Sequence, residues 1–258
     1  MEYQLHLSPS RLTRILGLLL ILALSGHLFV VFAHFVLHWP VRAATELFDM
    51  DLEANLPTLV NVLLFFLAGA LFHLAGRNEP KGARWQWGLL ALAMVFLGFD
   101  EGSQIHEKLM LITLRLINHG QQTNVNMGWL YYAWVIPYGL GAVALLLVFA
   151  RFFLRLPGPT RTGLVISGAV YVFGAVFCEM WSGKVAEQME GIAWTSERTA
   201  HIPCEVYPDL CALYQSASYV AIYTLEETME MLGLILCIRA LAGHLARART
   251  TARVEFTA

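Results

Sequence analysis

The sequence predicts an all-α fold: a polytopic membrane helix bundle of about six transmembrane helices, N-in and C-in. Three observations carry this. Hydrophobic residues make up 57% of the 258-residue chain and charged residues only 14%, too apolar a balance for an ordinary water-soluble domain. Six runs are long and apolar enough for a hydrocarbon core that takes roughly 20 helical residues to cross. Lysine and arginine gather on one side of the resulting six-span arrangement. No repeat of about 20 to 50 residues, low-complexity tract or long linker interrupts the chain, so 1–258 reads as a single integral membrane domain. A net charge of -2 without a basic face argues against nucleic acid as a partner and makes membrane lipid the expected surroundings.

The expected spans run over about 15–38, 56–75, 86–106, 128–150, 162–182 and 217–240. The first follows Arg11 and Arg14 and stops at Trp39 and Pro40. Ala23-Leu24-Ser25 faintly resembles a signal-peptidase site, but the apolar run continues past it, whereas a signal-peptide core ends after about 7–15 residues. The segment is therefore expected to stay as an anchor. The second span opens at Asn55 and Pro57, residue types that suit a helix start. Trp129, Tyr131, Tyr132 and Trp134 open the fourth and read as an aromatic belt at the membrane surface. Cys178 and Cys237, inside the last two spans, read as small packing residues.

Orientation follows from the basic residues. Arg11, Arg14, Arg77, Lys81, Arg84, Arg151, Arg155, Arg161, Arg239, Arg247, Arg249 and Arg253 fall on one side, and Arg42, Lys108, Arg115, Lys184 and Arg198 on the other. Twelve against five of the 17 marks the first side as cytoplasmic. A bacterial cytoplasmic (inner) membrane is the expected location, with longer connections at about 40–55, 107–127 and 183–216 facing out. Cys204 and Cys211 fall in the last of these, where an oxidising compartment would favour a short-loop disulfide over two thiols.

The informative residues lie where the apolar runs are too short. Only 15 residues separate Arg84 from Asp100, about 22 Å of helix, so a third span crossing about 30 Å carries Asp100 and Glu101 below the outer surface. Eight residues separate Glu230 from Arg239, roughly 12 Å, so the sixth span carries Glu226, Glu227 and Glu230 inside the bilayer. Glu179 joins them from the fifth span, and His106 and Glu107 follow near the outer interface. Helical spacing puts Asp100, Gln104 and Glu107 on one face, and Glu226, Glu227 and Glu230 within one turn. His27, His34 and His38 form a stripe on the first span, with His27 at about the depth of Asp100.

Each feature has a plainer reading. One protonated membrane acid bonded to a neighbouring helix needs no function. Six acids without Lys or Arg at their depth are harder to account for that way, because unpaired buried charge costs several kcal/mol. The histidine stripe is more simply a polar helix face, and Met229 and Met231 are packing residues rather than copper ligands. Asp49, Asp51 and Glu53 read first as helix-start chemistry and otherwise as an acidic mouth that concentrates cations.

The segments FDMDLEANLPT (48–58), FDEGSQIHEKL (99–109), SGAVYVFGAVFCEM (167–180) and YTLEETMEMLG (223–233) resemble an uncharacterised family of bacterial multi-pass inner-membrane proteins with the patterns FDxDxExNxPT, DExxxxHE and EExxEMxG. The resemblance covers most of the chain and implies no activity. A weaker similarity is to alkaline-ceramidase-like membrane hydrolases, which bind a metal inside a helical bundle; EExxE stands here where they carry HxxxH.

The expected centre is a cation site in the outer half of the bundle made of Asp100, Glu101, His106, Glu107, Glu179, Glu226, Glu227 and Glu230, with His27 as a weaker member. A metal-dependent membrane enzyme acting on a lipid or other apolar substrate comes first, with Fe, Mn, Zn or Mg as the divalent ion. A proton- or cation-coupled transporter is the alternative, and a homo-oligomer or accessory subunit of a larger membrane complex the third reading. No GxSxG elbow, glycine-rich phosphate loop, CxxC or CxxCH motif is present, so acyl-enzyme and nucleotide chemistry are not expected.

Overall fold

The structure is a computed structural model that describes residues 3–5, 8–39, 41–118, 120, 127–193, 216–248 and 252–254. Its helices are α1 (Pro9–Phe35), α2 (Arg42–Phe48), α3 (Leu56–Arg77), α4 (Arg84–Ser103), α5 (Ile105–Ile117), α6 (Val135–Arg155), α7 (Gly158–Val172), α8 (Glu179–Ala193) and α9 (Ala217–Arg247). A π-helical turn, Phe173–Cys178, joins α7 to α8. Cys204 and Cys211 lie outside the described residues.

Local chemistry sets the boundaries. α1 begins at Pro9, ahead of the apolar run, because Ser8 Oγ accepts the Arg11 N–H at 3.5 Å and Pro9 has no N–H to satisfy. Asn55 Oδ1 caps α3 by accepting the Thr58 N–H at 3.1 Å, with Pro57 in the first turn. Ser216 Oγ caps α9 in the same way, accepting from the Tyr219 N–H at 3.4 Å.

Among the described residues, α1, α3, α6, the rod running from α7 through α8, and α9 are each long and apolar enough to cross a membrane. α4 passes only together with α5, and the two are bent by 85°. Strands β1 (Tyr3–Leu5) and β2 (Ala252–Val254) pair antiparallel, a short addition to an otherwise helical fold. This pairing brings the chain ends to one side. Counted with α5 as one broken span, α4 is the sixth candidate among the described residues.

α3 and α9 are the central helices; Leu64, Phe65 and Leu71 on one and Met231, Ile238 and Leu241 on the other are fully buried. Leu18 and Ile21 on α1, and Leu140, Leu147 and Val148 on α6, are each more than half exposed. Apolar side chains facing outward around buried carboxyls suit a hydrocarbon solvent, and the chain is a multi-pass membrane protein. Backbones approach closely at two glycines. A Cβ on Gly98 would lie 2.8 Å from the Phe66 ring, and one on Gly174 would lie 2.8 Å from the Glu226 carbonyl oxygen. These contacts seat α4 against α3, and the π-helical turn against α9.

The third span departs from the continuous 86–106 helix expected. Gln104 adopts a left-handed conformation (φ 54, ψ 45), ends α4 and starts α5 in a new direction. The expected shared face of Asp100, Gln104 and Glu107 is overturned, because α-helical periodicity does not extend through this bend. α5 occupies much of what the sequence suggests as a loop. Leu111, Ile112 and Leu116 are exposed on one side of it and Glu107, Lys108 and Arg115 are its charged residues, the composition of a helix lying along the interface.

Candidate functional site

Asp100 is buried just before the bend, and Oδ1 accepts the backbone N–H of His106 at 2.8 Å. Its carboxylate thereby caps α5 across the break. The same oxygen lies 3.3 Å from His106 Nδ1, so the acid also orients the imidazole. The ring packs beside Trp134, with centroids 5.0 Å apart. Glu107 is exposed on α5 and lines, with His106, Met110, Leu111, Trp134 and Glu179, a groove of about 410 Å³.

Glu101, Glu179, Glu226 and Glu230 meet neutral groups rather than cations. Asn61, fully buried on α3, donates from Nδ2 to Glu101 Oε1 at 2.9 Å. Its own Oδ1 has no hydrogen-bond partner among the described residues. Trp134 Nε1 donates to Glu179 Oε1 at 2.7 Å, and Ser182 Oγ donates to Glu226 Oε2 at 3.4 Å. The Glu226 and Glu179 carboxyls are within hydrogen-bonding reach of each other, and Tyr171 is within reach of Glu230. Glu227 is close enough to interact electrostatically with Glu230, Glu101, Glu53 and Asp51, and Glu230 with Glu101, Glu179 and Glu53. Among the described residues the salt bridges are His27–Asp49, Arg42–Glu46 and His106–Asp100, so no Lys or Arg pairs with these intramembrane acids.

His27 stands apart. It is fully buried, its Nε2 lies 2.8 Å from Thr224 Oγ1, and its Nδ1 accepts the Met50 N–H at 3.3 Å. Thr224 spends its own proton on the Val220 carbonyl, so Nε2 is the donor and both ring nitrogens are engaged. No lone pair is left for a cation. His34 packs edge-on against Phe35, away from this arrangement.

Asp49, Asp51 and Glu53 are more than helix-start chemistry, because none lies in the first turn of α3. Asp49 Oδ1 accepts from Tyr223 OH at 3.0 Å, and Asp51 Oδ1 from Tyr219 OH at 3.3 Å. Tyr219, Tyr223, Glu226 and Glu230 follow one another along one face of α9, so the outer loop and the intramembrane acids share a polar stripe. Burial, with the charge of Asp49 second, pushes the Asp51 carboxyl up to about 7. Burial followed by Glu101 pushes Glu53 up to about 7 as well. Sequence reasoning missed Asn61 and Tyr171, which sit unremarkably in apolar runs, and assigned Trp134 to the aromatic belt alone.

Among the described residues no three of His, Cys, Asp and Glu are grouped to hold a metal ion. The carboxyls are near enough to share a field, yet Glu101, Glu179 and Glu226 each meet a separate neutral donor, Asn61, Trp134 and Ser182. No curated protein and no solved structure matches the chain. Residues 12–245 match the family described as Domain of unknown function (DUF8692), and the chain belongs to that family.

Proposed function

We propose that this protein is a proton- or cation-coupled transporter whose outer-half carboxyls are the coupling groups. One observation carries the reading. Glu101, Glu179, Glu226, Glu227 and Glu230 cluster on candidate spans with no Lys or Arg salt bridge among the described residues, beside two interruptions of regular helix, the break at Gln104 and the π-helical turn before Glu179. Buried carboxyls in that setting are neutralised by protons or by a bound cation. Interrupted helices at the depth of the binding groups are where transporters change shape. Asp51 and Glu53 form the outer end of the series, and the apolar layer of Met231, Leu234 and Ile238 closes it on the far side.

The test uses proteoliposomes with a pH-sensitive dye inside, to which Na+, K+, Mg2+ or Mn2+ is added outside. Cation-dependent proton movement, lost in a Glu227→Gln, Glu230→Gln double variant, is the expected result. Absence of coupled movement with every cation in the intact protein would sink the transport reading.

A second reading, a membrane enzyme acting on a lipid or another apolar substrate, is favoured by His106. Asp100 holds its Nδ1, and the ring borders a groove whose walls are partly apolar. A divalent Fe, Mn, Zn or Mg ion would have to draw several glutamates from their present donors. Elemental analysis after reconstitution with each metal separates this reading from the first.

A further inference from the structure

At the arginine-rich end of the bundle, far from the acids, a second cavity of about 470 Å³ opens between α7, α9 and the start of α1. Its floor is made of small residues. A Cβ on Gly163 would lie 2.7 Å from the Ala240 Cβ, so the two helices touch there, and Gly243 lies one turn further along α9. Leu236 and Ile166 form an apolar wall, and Ile166 is half exposed on the outer surface of α7. Arg239 and Arg247 supply the polar end.

The arginines differ in how they are held. Arg247 Nη2 donates to the buried Thr160 hydroxyl at 3.0 Å, and Nη1 lies 3.3 Å from where a Gly243 Cβ would stand. Its guanidinium is thus folded back along α9 toward Arg239. Arg239 is exposed and makes no hydrogen bond or salt bridge among the described residues. It lies nine residues beyond Glu230, about 14 Å along the helix, near headgroup level if Glu230 is close to the membrane midplane. Around the cavity the surface is basic, with Arg11, Arg14, Arg155 and Arg161 on neighbouring segments and Glu79 as an acid near His244.

We propose that this cavity binds an anionic phospholipid of the arginine-rich leaflet, with its phosphate between Arg239 and Arg247 and an acyl chain along Leu236, Ala240 and Ile166. Three properties fit that occupant together. The cavity opens sideways to the hydrocarbon, its charged end is at headgroup depth, and an exposed guanidinium there lacks a protein partner. A soluble anion would leave the apolar wall unused, and a zwitterionic headgroup would set a second cation beside two arginines.

The experiment is native mass spectrometry of the full-length protein in detergent, titrated with phosphatidylglycerol, with phosphatidylcholine, or with phosphatidylglycerol in the presence of inorganic phosphate. At about 1 kcal/mol per arginine, Arg239→Gln should weaken phosphatidylglycerol retention about fivefold and the Arg239→Gln, Arg247→Gln double variant about thirtyfold. Gly243→Leu keeps both charges but fills the floor, and should also reduce retention. The intact protein should hold phosphatidylcholine more weakly, and inorganic phosphate should not displace the lipid. Arg239→Gln removes no contact within the protein, so unchanged thermal stability confirms that its fold is intact. Equal retention of phosphatidylglycerol by the intact protein and the double variant would overturn the proposal. So would equal binding of the two lipids, or displacement by free phosphate.

Discussion

Replacing Asp51 by Asn should change how the stability of this protein depends on pH. In the fold the Asp51 carboxyl is buried between Asp49 and Tyr219, which raises it from an ordinary 3.8 to about 7. A raised acid favours the folded state while it holds its proton. Its contribution is fully present below the unfolded value and is lost as pH rises through about 7. From 3.8 to about 7 is roughly three pH units, each worth 1.36 kcal/mol, so about 4 kcal/mol is the upper limit, and partial exposure reduces it to about 2 kcal/mol. The assay is thermal unfolding of the detergent-purified protein at intervals from pH 5 to 8. The intact protein should lose stability relative to Asp51→Asn from pH 5 upward, with the difference growing fastest between about pH 5 and 6 and levelling off above about 7. Parallel curves, or an Asp51→Asn protein that gains stability at low pH only, would refute the reasoning.

Asp100→Ala removes the acceptor for the His106 N–H and should destabilise the start of α5 by about 1–2 kcal/mol, seen as faster hydrogen exchange over 105–110 with little change in α9. Trp134→Phe leaves Glu179 without its 2.7 Å donor and should cost about 1–3 kcal/mol in thermal stability; an unchanged melting temperature would mean the bond contributes nothing. Gly98→Leu pushes a side chain into Phe65 and Phe66 and should separate α4 from α3, with a loss of several kcal/mol or failure to accumulate in the membrane. Reporter fusions after residues 80, 156 and 258 should score as cytoplasmic and those near 48, 120 and 200 as external; two reversals would exclude the six-span arrangement.

The spans were legible because crossing a bilayer demands length and apolarity, which can be counted along the chain. Asp100 and Glu230 are buried, as the short apolar stretches between them and the nearest arginines suggest for acids set within a span. The bend at Gln104 was not legible, because a left-handed glutamine has no sequence signature comparable to glycine or proline. For that reason Glu107 was expected on the face of Asp100 but lies, with His106, on a helix bent away from α4 by 85°. The commitments of His27 to Met50 and Thr224 were not legible, because they depend on chain segments far apart in sequence. Asp51 and Glu53 read as helix-start residues because nothing in the sequence shows that the turn before α3 folds them against Tyr219 and Thr58. The donors Asn61, Tyr171 and Trp134 were hidden because a single polar atom in an apolar run barely changes its hydropathy.

The π-helical turn between α7 and α8 also fixes a rotational phase. A wider turn accommodates one more residue than the α-helical path, and each residue turns an α-helix by about 100°. Everything after Cys178 is therefore rotated relative to a continuous helix, and in this phase Glu179 meets Trp134 and Glu226. Rewinding Phe173–Cys178 as ordinary helix would swing Glu179 by about a quarter turn away from Trp134 and Glu226 without unfolding the rod. A short stretch of backbone thus acts as a detent, and deleting one residue from it should separate Glu179 from Trp134 and Glu226.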